Sequence, residues 1–498
     1  MNKKYEQLKK YIDKRVALGA AMALFEWDDA TLAPEESVEN NAKIKGILAG
    51  ESHKALINEE VKALLDELKD ADDLNETEKK IVNIMLKEYE QLDAVTAEEY
   101  KDYNELVANS INAWEKAKES NDFSVFAPYL EKVIAFNKKM ATNRNKNNDS
   151  LYNILLGDYE EGFTTEVLDK FFEELKNGIV PLAKQIKAKE DSINFDFLRK
   201  DYDIEKQKEF NYFLAEYIGF DFKKGVIAES AHPFTTNWHN KDVRITTHYY
   251  KNQPESAMFS TIHEGGHALY VMNIADKYTL TPLGTGTSMG VHESQSRFME
   301  NVIGRRESFW KPIYGKLQEM FSDNLSDVNL EDFMKAANRV EHGYIRTEAD
   351  ELTYSLHVII RYEIEKLFME NDIDVNELPE IWNKKYEEYL GLKPRNVSEG
   401  ILQDIHWSQG GIGYFPSYAL GSAFAAQFFH KMQEEFDVDK ALMEGKVDKI
   451  TTWLKENIHQ YGSAKNAKEL LMDVTGEELN TKYYVEYLRE KYSKLYDL

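Results

Sequence analysis

The sequence predicts a mainly α-helical protein, and three observations carry that prediction. Only 10 prolines interrupt 498 residues. Long lysine- and glutamate-rich stretches repeat apolar residues at helical spacing. Capping signals stand where such stretches begin. In "EEVKALLDELK", Val61, Leu64, Leu65 and Leu68 fall at i, i+3, i+4 and i+7, one helical face. "NETEKKIVNIMLKEYEQL" opens with Asn75 and Glu78 at capping-box spacing, and Thr96 with Glu99 repeats the device before the next helix. Length alone would suggest two to four domains. No fixed-period repeat or low-complexity linker marks a boundary.

Composition narrows the class. Hydrophobic residues make up 42% and charged residues 30%, as in a soluble globular protein. No cysteine is present, which excludes a thiol nucleophile and a disulfide framework and fits a reducing interior. The opening "MNKKYEQLKKYIDKRV" lacks the apolar core of a signal peptide, and no run approaches the ~18 apolar residues of a membrane span. The expected address is therefore the cytoplasm, away from membranes. A formal net charge of −26 argues against nucleic acid as a partner, because such a surface repels phosphates instead of releasing counterions.

Two segments break the helical rhythm. In "DVRITTHYY", Val243, Ile245, Thr247 and Tyr249 alternate with Arg244, Thr246, His248 and Tyr250, the two-residue period of a strand. "GILQDIHWSQGGIGYFP" reads as a long glycine-rich loop over 400–416, a kind of segment that is often functional. Nine of the twelve histidines lie between 232 and 406.

Among them stands "STIHEGGHALYVM", residues 260–272. Each helical residue turns ~100°, so His263 and His267 lie one turn apart on one face and can reach a single metal. Glu264 flanks that face, close enough to take a proton from a water beside the ion without replacing it. This is the H-E-x-x-H arrangement with the acid as general base. The apolar "AMFSTI" before it and "ALYVM" after it bury the helix, and a buried glutamate between histidines needs a partner, which a cation would supply. Gly265 and Gly266 each cost ~1 kcal/mol in a helix interior. Either another helix approaches the backbone there, or the glycines are simply tolerated.

A catalytic zinc takes three protein ligands and keeps one position open. "GVHESQSRFMENVIG" offers Glu293, 26 residues after His267, in a helical stretch with apolar Phe298, Val302 and Ile303. The alternative reading is a surface ion pair with Arg297 at i+4. His292 is a rival ligand, but as Glu293's neighbour it would point ~100° away.

Further strings then accumulate in order: "HPF" at 232–234, "DVRIT" at 242–246, "HEGGH" at 263–267, "HESQSR" at 292–297, "IRTEAD" at 345–350 and "GILQDIHW" at 400–407, with "FEWDDATLAP" and "GYFPSYALG" at either end. Together they resemble the carboxypeptidase Taq family of metallocarboxypeptidases over essentially the whole chain. The resemblance implies a single catalytic unit over 1–498 with a saddle-like helical zincin fold of the glutamate-zincin type, related to angiotensin-converting enzyme and the oligopeptidases. That fold has a small β-sheet beside the metal helix, a deep substrate groove and an N-terminal helical lid, roughly 1–120. It implies a homodimer that removes C-terminal residues from peptides with broad specificity. One zinc per chain is expected, or cobalt, held by His263, His267 and Glu293. Many glutamate zincins carry an aspartate four residues after the third ligand to orient a zinc histidine. Here Arg297 occupies that place, and the partner of the histidines is left open.

In this reading Glu264 deprotonates the attacking water and protonates the leaving amine. Tyr418 or Tyr414 of "GYFPSYALG", or His406 of "QDIHW", stabilises the oxyanion, a contribution of ~3–4 kcal/mol per donor. An exopeptidase also anchors the free carboxylate, for which arginine's planar fork is suited. The resemblance prefers Arg346, whose alternative is an i+4 pair with Asp350. Arg244 is the second candidate, sharing a strand face with Thr246 and His248. The competing functions are a metallo-oligoendopeptidase of similar fold and a catalytically silent peptide-binding scaffold.

Overall fold

The computed structural model describes residues 2–498, so only Met1 of the expected unit falls outside it. The chain is mostly helical, with one three-stranded sheet among the described residues. The sequence signals are realised locally. Val61, Leu64, Leu65 and Leu68 form the buried face of the helix Glu59–Leu68. Complete capping boxes at Asn75/Glu78 and Thr96/Glu99 open the helices Glu76–Leu92 and Ala97–Ser120.

Two main cores result. The larger runs from Ala117 to Tyr496 and packs the central helices around Glu351–Glu370 and Pro416–Glu435. A smaller one gathers Tyr5, Leu8, Leu64, Leu65, Ile81, Met85 and Tyr89 of the first four helices. It is completed from the main body by Ile274, Tyr278, Leu283 and Ala464. The helix Ala97–Ser120 sides with the larger body: Trp114 Nε1 donates to the Leu402 carbonyl and Lys118 Nζ to that of Gln403.

The sheet comprises β1 (Gly225–Glu229), β2 (Thr235–His239) and β3 (Asp242–Thr247) in the order β1-β3-β2. β3 runs parallel to β1 and antiparallel to β2, with Thr235 opposite Ile245. Val243 and Ile245 are fully buried, as the alternation predicts. The strand ends at Thr247, so His248–Tyr250 lie beyond it. Thr246, on the other face, is also buried. Its hydroxyl accepts from the Phe234 N–H at 2.9 Å and from Ser230 Oγ at 2.7 Å. Those bonds tie the turn before β2 to the central strand. The sheet lies against the metal helix, Pro254–Met272, with a proline in its first turn.

Candidate metal centre

His263 and His267 project from the metal helix, and Glu293 from the ligand helix Met289–Arg297. The two helices meet through glycine. A Cβ on Gly266 would stand 2.5 Å from the Gln295 carbonyl oxygen and 2.8 Å from Ser296 Cα, so only hydrogen fits there. On its other side, Gly421 of the helix Pro416–Glu435 leaves room for Glu293, whose Cγ would lie 2.6 Å from an added Cβ. The glycines therefore mark close helix contact, one of the two alternatives open in the sequence.

The three donor groups converge within 4.8 Å of one another. Glu293 Oε2 lies 3.5 Å from His267 Nε2 and 3.8 Å from His263 Nε2. Bonds of ~2.0–2.2 Å in a tetrahedral site put donor atoms ~3.3–3.6 Å apart; the 3.5 Å pair meets that spacing and the 3.8 Å pair is slightly wider, so a small inward shift of His263 would let the set hold one divalent ion. Arg297 Nε also donates to Glu293 Oε1 at 2.7 Å, but this pair is buried, not the surface pair of the alternative reading. Burial alone would raise the Glu293 carboxyl. Arg297, His267 and His263 outweigh it and hold the group below the usual carboxylate range.

Each ligand histidine is oriented from behind. Glu300 Oε2 meets His263 Nδ1 at 2.9 Å, and its Oε1 accepts from Arg305 at 2.9 Å. Glu300 lies in a π-helical segment, Phe298–Gly304, that extends the ligand helix. It takes the part that an aspartate at position 297 would play, from three residues further on. The signal was a carboxylate seven residues after Glu293, on the same helical face. Burial opposes its charge, but His263 and Arg305 prevail and keep it ionised. His267 Nδ1 lies 2.6 Å from His292 Nδ1. His267 turns its Nε2 towards Glu293 Oε2, which leaves Nδ1 as the ring nitrogen facing His292. Burial and His267 push the His292 imidazole down to about 3, leaving it a neutral acceptor. His292 thus stands behind His267, outside the group of three donors that could hold one ion.

Glu264 is buried, and its Oε2 accepts from Thr235 Oγ1 at 2.6 Å. Thr235, on the edge strand β2, was not among the sequence candidates.

The loop 391–415 carries no helix or strand, as its glycines suggest. Glu365, fully buried, fixes it by accepting from Trp407 Nε1 and the Gly413 N–H, both at 2.8 Å. Tyr414 and Tyr418 are half-buried, with ring centroids 5.2 Å apart. His406 Nε2 lies 3.3 Å from the Tyr418 hydroxyl, so the three residues form one cluster. Burial pushes His406 down to about 4 and raises both phenols. The imidazole is neutral and the tyrosines stay protonated at neutral pH.

Arg346 does not pair with Asp350, which instead caps the helix Glu351–Glu370. Its Nε and one terminal nitrogen both lie 2.9 Å from Asp404 Oδ1, and another terminal nitrogen donates to the Tyr354 hydroxyl at 3.0 Å. Arg361 binds the other oxygen of Asp404 at 2.7–2.8 Å. Two guanidinium groups thus share one carboxylate, and Arg346 sits 4.8 Å from the Tyr418 ring. Arg244 lies elsewhere, its fork closed on Asp242 at 2.9 and 3.0 Å. It stacks between Trp27 at 5.6 Å and Trp238 at 4.2 Å. Thr246, on its face of the strand, and His248, just beyond the strand's end, are both engaged with the 230–234 turn.

The chain is similar to known proteins over nearly its whole length. The sequence pattern of the carboxypeptidase Taq (M32) metallopeptidases matches residues 7–492. Carboxypeptidase 1 of Bacillus subtilis is 45% identical over 478 residues, covering 96% of this chain and 95% of that protein. Thermostable carboxypeptidase 1 of Pyrococcus furiosus is 36% identical over 479 residues, covering 96% of each. The crystal structure of the M32 carboxypeptidase from Deinococcus radiodurans superposes with a TM-score of 0.96 at 33% identity, over 100% of both chains.

Proposed function

Because the chain belongs to the carboxypeptidase Taq (M32) metallopeptidase family and is a metallocarboxypeptidase acting on peptides, we propose a division of labour among its residues. His263, His267 and Glu293 hold one zinc per chain, with cobalt as a substitute. The observation that carries this is the spacing of their donor atoms beside a buried, unligated glutamate. When bound, the ion supplies Lewis acidity that makes a water molecule nucleophilic near neutral pH.

Glu264 takes the proton from the attacking water and returns it to the leaving nitrogen as the C–N bond breaks. Tyr418 donates a hydrogen bond to the carbonyl oxygen as it becomes negative, because its raised phenol remains a donor throughout. Tyr414 flanks it, and His406 supports its hydroxyl from behind.

Arg346 anchors the free carboxylate of the substrate. Asp404 neutralises only one of the two arginines it touches, which leaves a buried positive charge for the substrate to balance. Arg244, already paired with Asp242, is the second candidate. The test compares one peptide bearing a free or an amidated C-terminus. We expect the amide to be cut at least ~100-fold more slowly, the scale of a lost buried charge pair. Equal rates would remove Arg346 from this role and favour internal cleavage.

The N-terminal lid in this proposal is residues 1 to about 95, shorter than roughly 1–120, because the helix Ala97–Ser120 packs with the larger body. A homodimer in the cytoplasm completes the proposal. The homodimer rests on the family resemblance, and sedimentation of the purified protein tests it. Among the described residues no helix is long and apolar enough to cross a membrane, and the absence of cysteine suits a reducing compartment.

A further inference from the structure

Glu264 has two oxygens, and the fold treats them differently. Thr235 Oγ1 stands 2.6 Å from Oε2 and 3.1 Å from the glutamate's own carbonyl oxygen. The short contact is the bond proper, since a carboxylate is the stronger acceptor. Among the described residues no donor reaches Oε1. Thr235 is itself well fixed. It pairs with Ile245 in the antiparallel ladder, and the residue before it is gripped by Thr246, which accepts from the Phe234 N–H while its own N–H donates to the Phe234 carbonyl at 2.9 Å. A hydroxyl held on a sheet edge therefore points at the acid of the metal helix.

We infer that Thr235 is a positioning residue for the catalytic base, holding Oε2 so that Oε1 alone carries the travelling proton. The inference rests on Glu264 being that base. Water gives its proton to Oε1 as its oxygen bonds to the carbonyl carbon. The same proton leaves Oε1 for the nitrogen as the C–N bond breaks. Thr235 keeps its own proton and donates to Oε2 in both states, which prevents the carboxyl from rotating and fixes the side on which it is protonated. A base that must reach first the water and then the nitrogen loses rate when its orientation is lost, even if every ligand stays in place.

The test uses the intact metal-loaded enzyme and three variants. Thr235→Val keeps the shape and removes the donor, and Thr235→Ser keeps the donor. We expect kcat to fall ~10–100-fold in Thr235→Val, with KM and metal content within twofold of the parent. Thr235→Ser should stay within about threefold of the parent. Three results would each overturn the inference: an undiminished kcat in Thr235→Val, an equal loss in Thr235→Ser, or loss of metal from the valine variant. Glu264→Gln separates this from the underlying reading. If it retains metal and loses turnover while Thr235→Val remains fully active, the base stands and the role of Thr235 falls. If Glu264→Gln itself stays active, the base lies elsewhere and both fall.

Discussion

Glu300 backs His263 although it stands seven residues after Glu293, and its position shows how a residue is missed. Its carboxylate bridges the imidazole and Arg305, with both contacts at 2.9 Å, and Arg297 lies 3.7 Å from the same group. The charge is thus delivered to the back of the ligand and held by two arginines. Removing it while keeping the shape should loosen the metal without unfolding the protein. Glu300→Gln is expected to weaken metal affinity ~10–100-fold, read by competition with a chromophoric chelator. Unchanged affinity would leave Glu300 a structural ion-pair member only. The grouping of His263, His267 and Glu293 was legible because a helix imposes the spacing: i and i+4 for the histidines, and a following helix for the acid. Glu300 was legible in principle, at helical position i+7 from Glu293. Thr235 was not, since its contact with Glu264 spans 29 residues and depends on sheet packing that no local period encodes.

Elements meet at buried carboxylates that the mechanism does not use. Glu160, at the end of the helix Leu151–Tyr159, accepts from the Gly290 N–H at the start of the ligand helix and from Ser417 Oγ of the helix Pro416–Glu435. It joins three segments around Glu293. Burial pushes its carboxyl from 4.5 up to about 7, against the pull of those donors. A raised acid costs nothing while both folded and unfolded chains are protonated. It costs most once the unfolded chain has ionised and the folded one must hold its proton or bury a charge. Stability is therefore lost as pH climbs from 4.5 through 7, by about 3 kcal/mol in all. In Glu160→Gln that loss should vanish. Denaturant unfolding in chelator at pH 5 and pH 8 should show the variant gaining on the parent by about 2–3 kcal/mol between the two. A constant difference would show that Glu160 ionises freely. At this scale the sequence was informative wherever chemistry is local. The capping boxes and the glycine pair at 265–266 all did what their types suggest. The strand was read three residues too long, because alternation in His248–Tyr250 continues after ladder hydrogen bonds stop.

At the scale of the whole molecule a bound divalent ion would be coupled to the fold, since two separate helices bring His263, His267 and Glu293 together. Stripping the metal should lower the unfolding temperature, and restoring zinc should raise it in a concentration-dependent way. At free metal a thousandfold above its dissociation constant the stabilisation is about 4 kcal/mol. Scanning calorimetry with and without chelator measures it, and an unmoved transition would mean the ion adds nothing to global stability. Helical class and the metal triad could be read from the chain alone. The division into two cores could not, because Ile274, Tyr278, Leu283 and Ala464 belong to the smaller one despite their distance along the sequence. Three of those four lie in the strap between Met272 and Met289, which joins the helix of His267 to the helix of Glu293. The first four helices therefore roof the strap that spaces the ligands. Trimming them away would strip the cover from that strap, and the shortened chain should hold a metal ion less tightly than the parent.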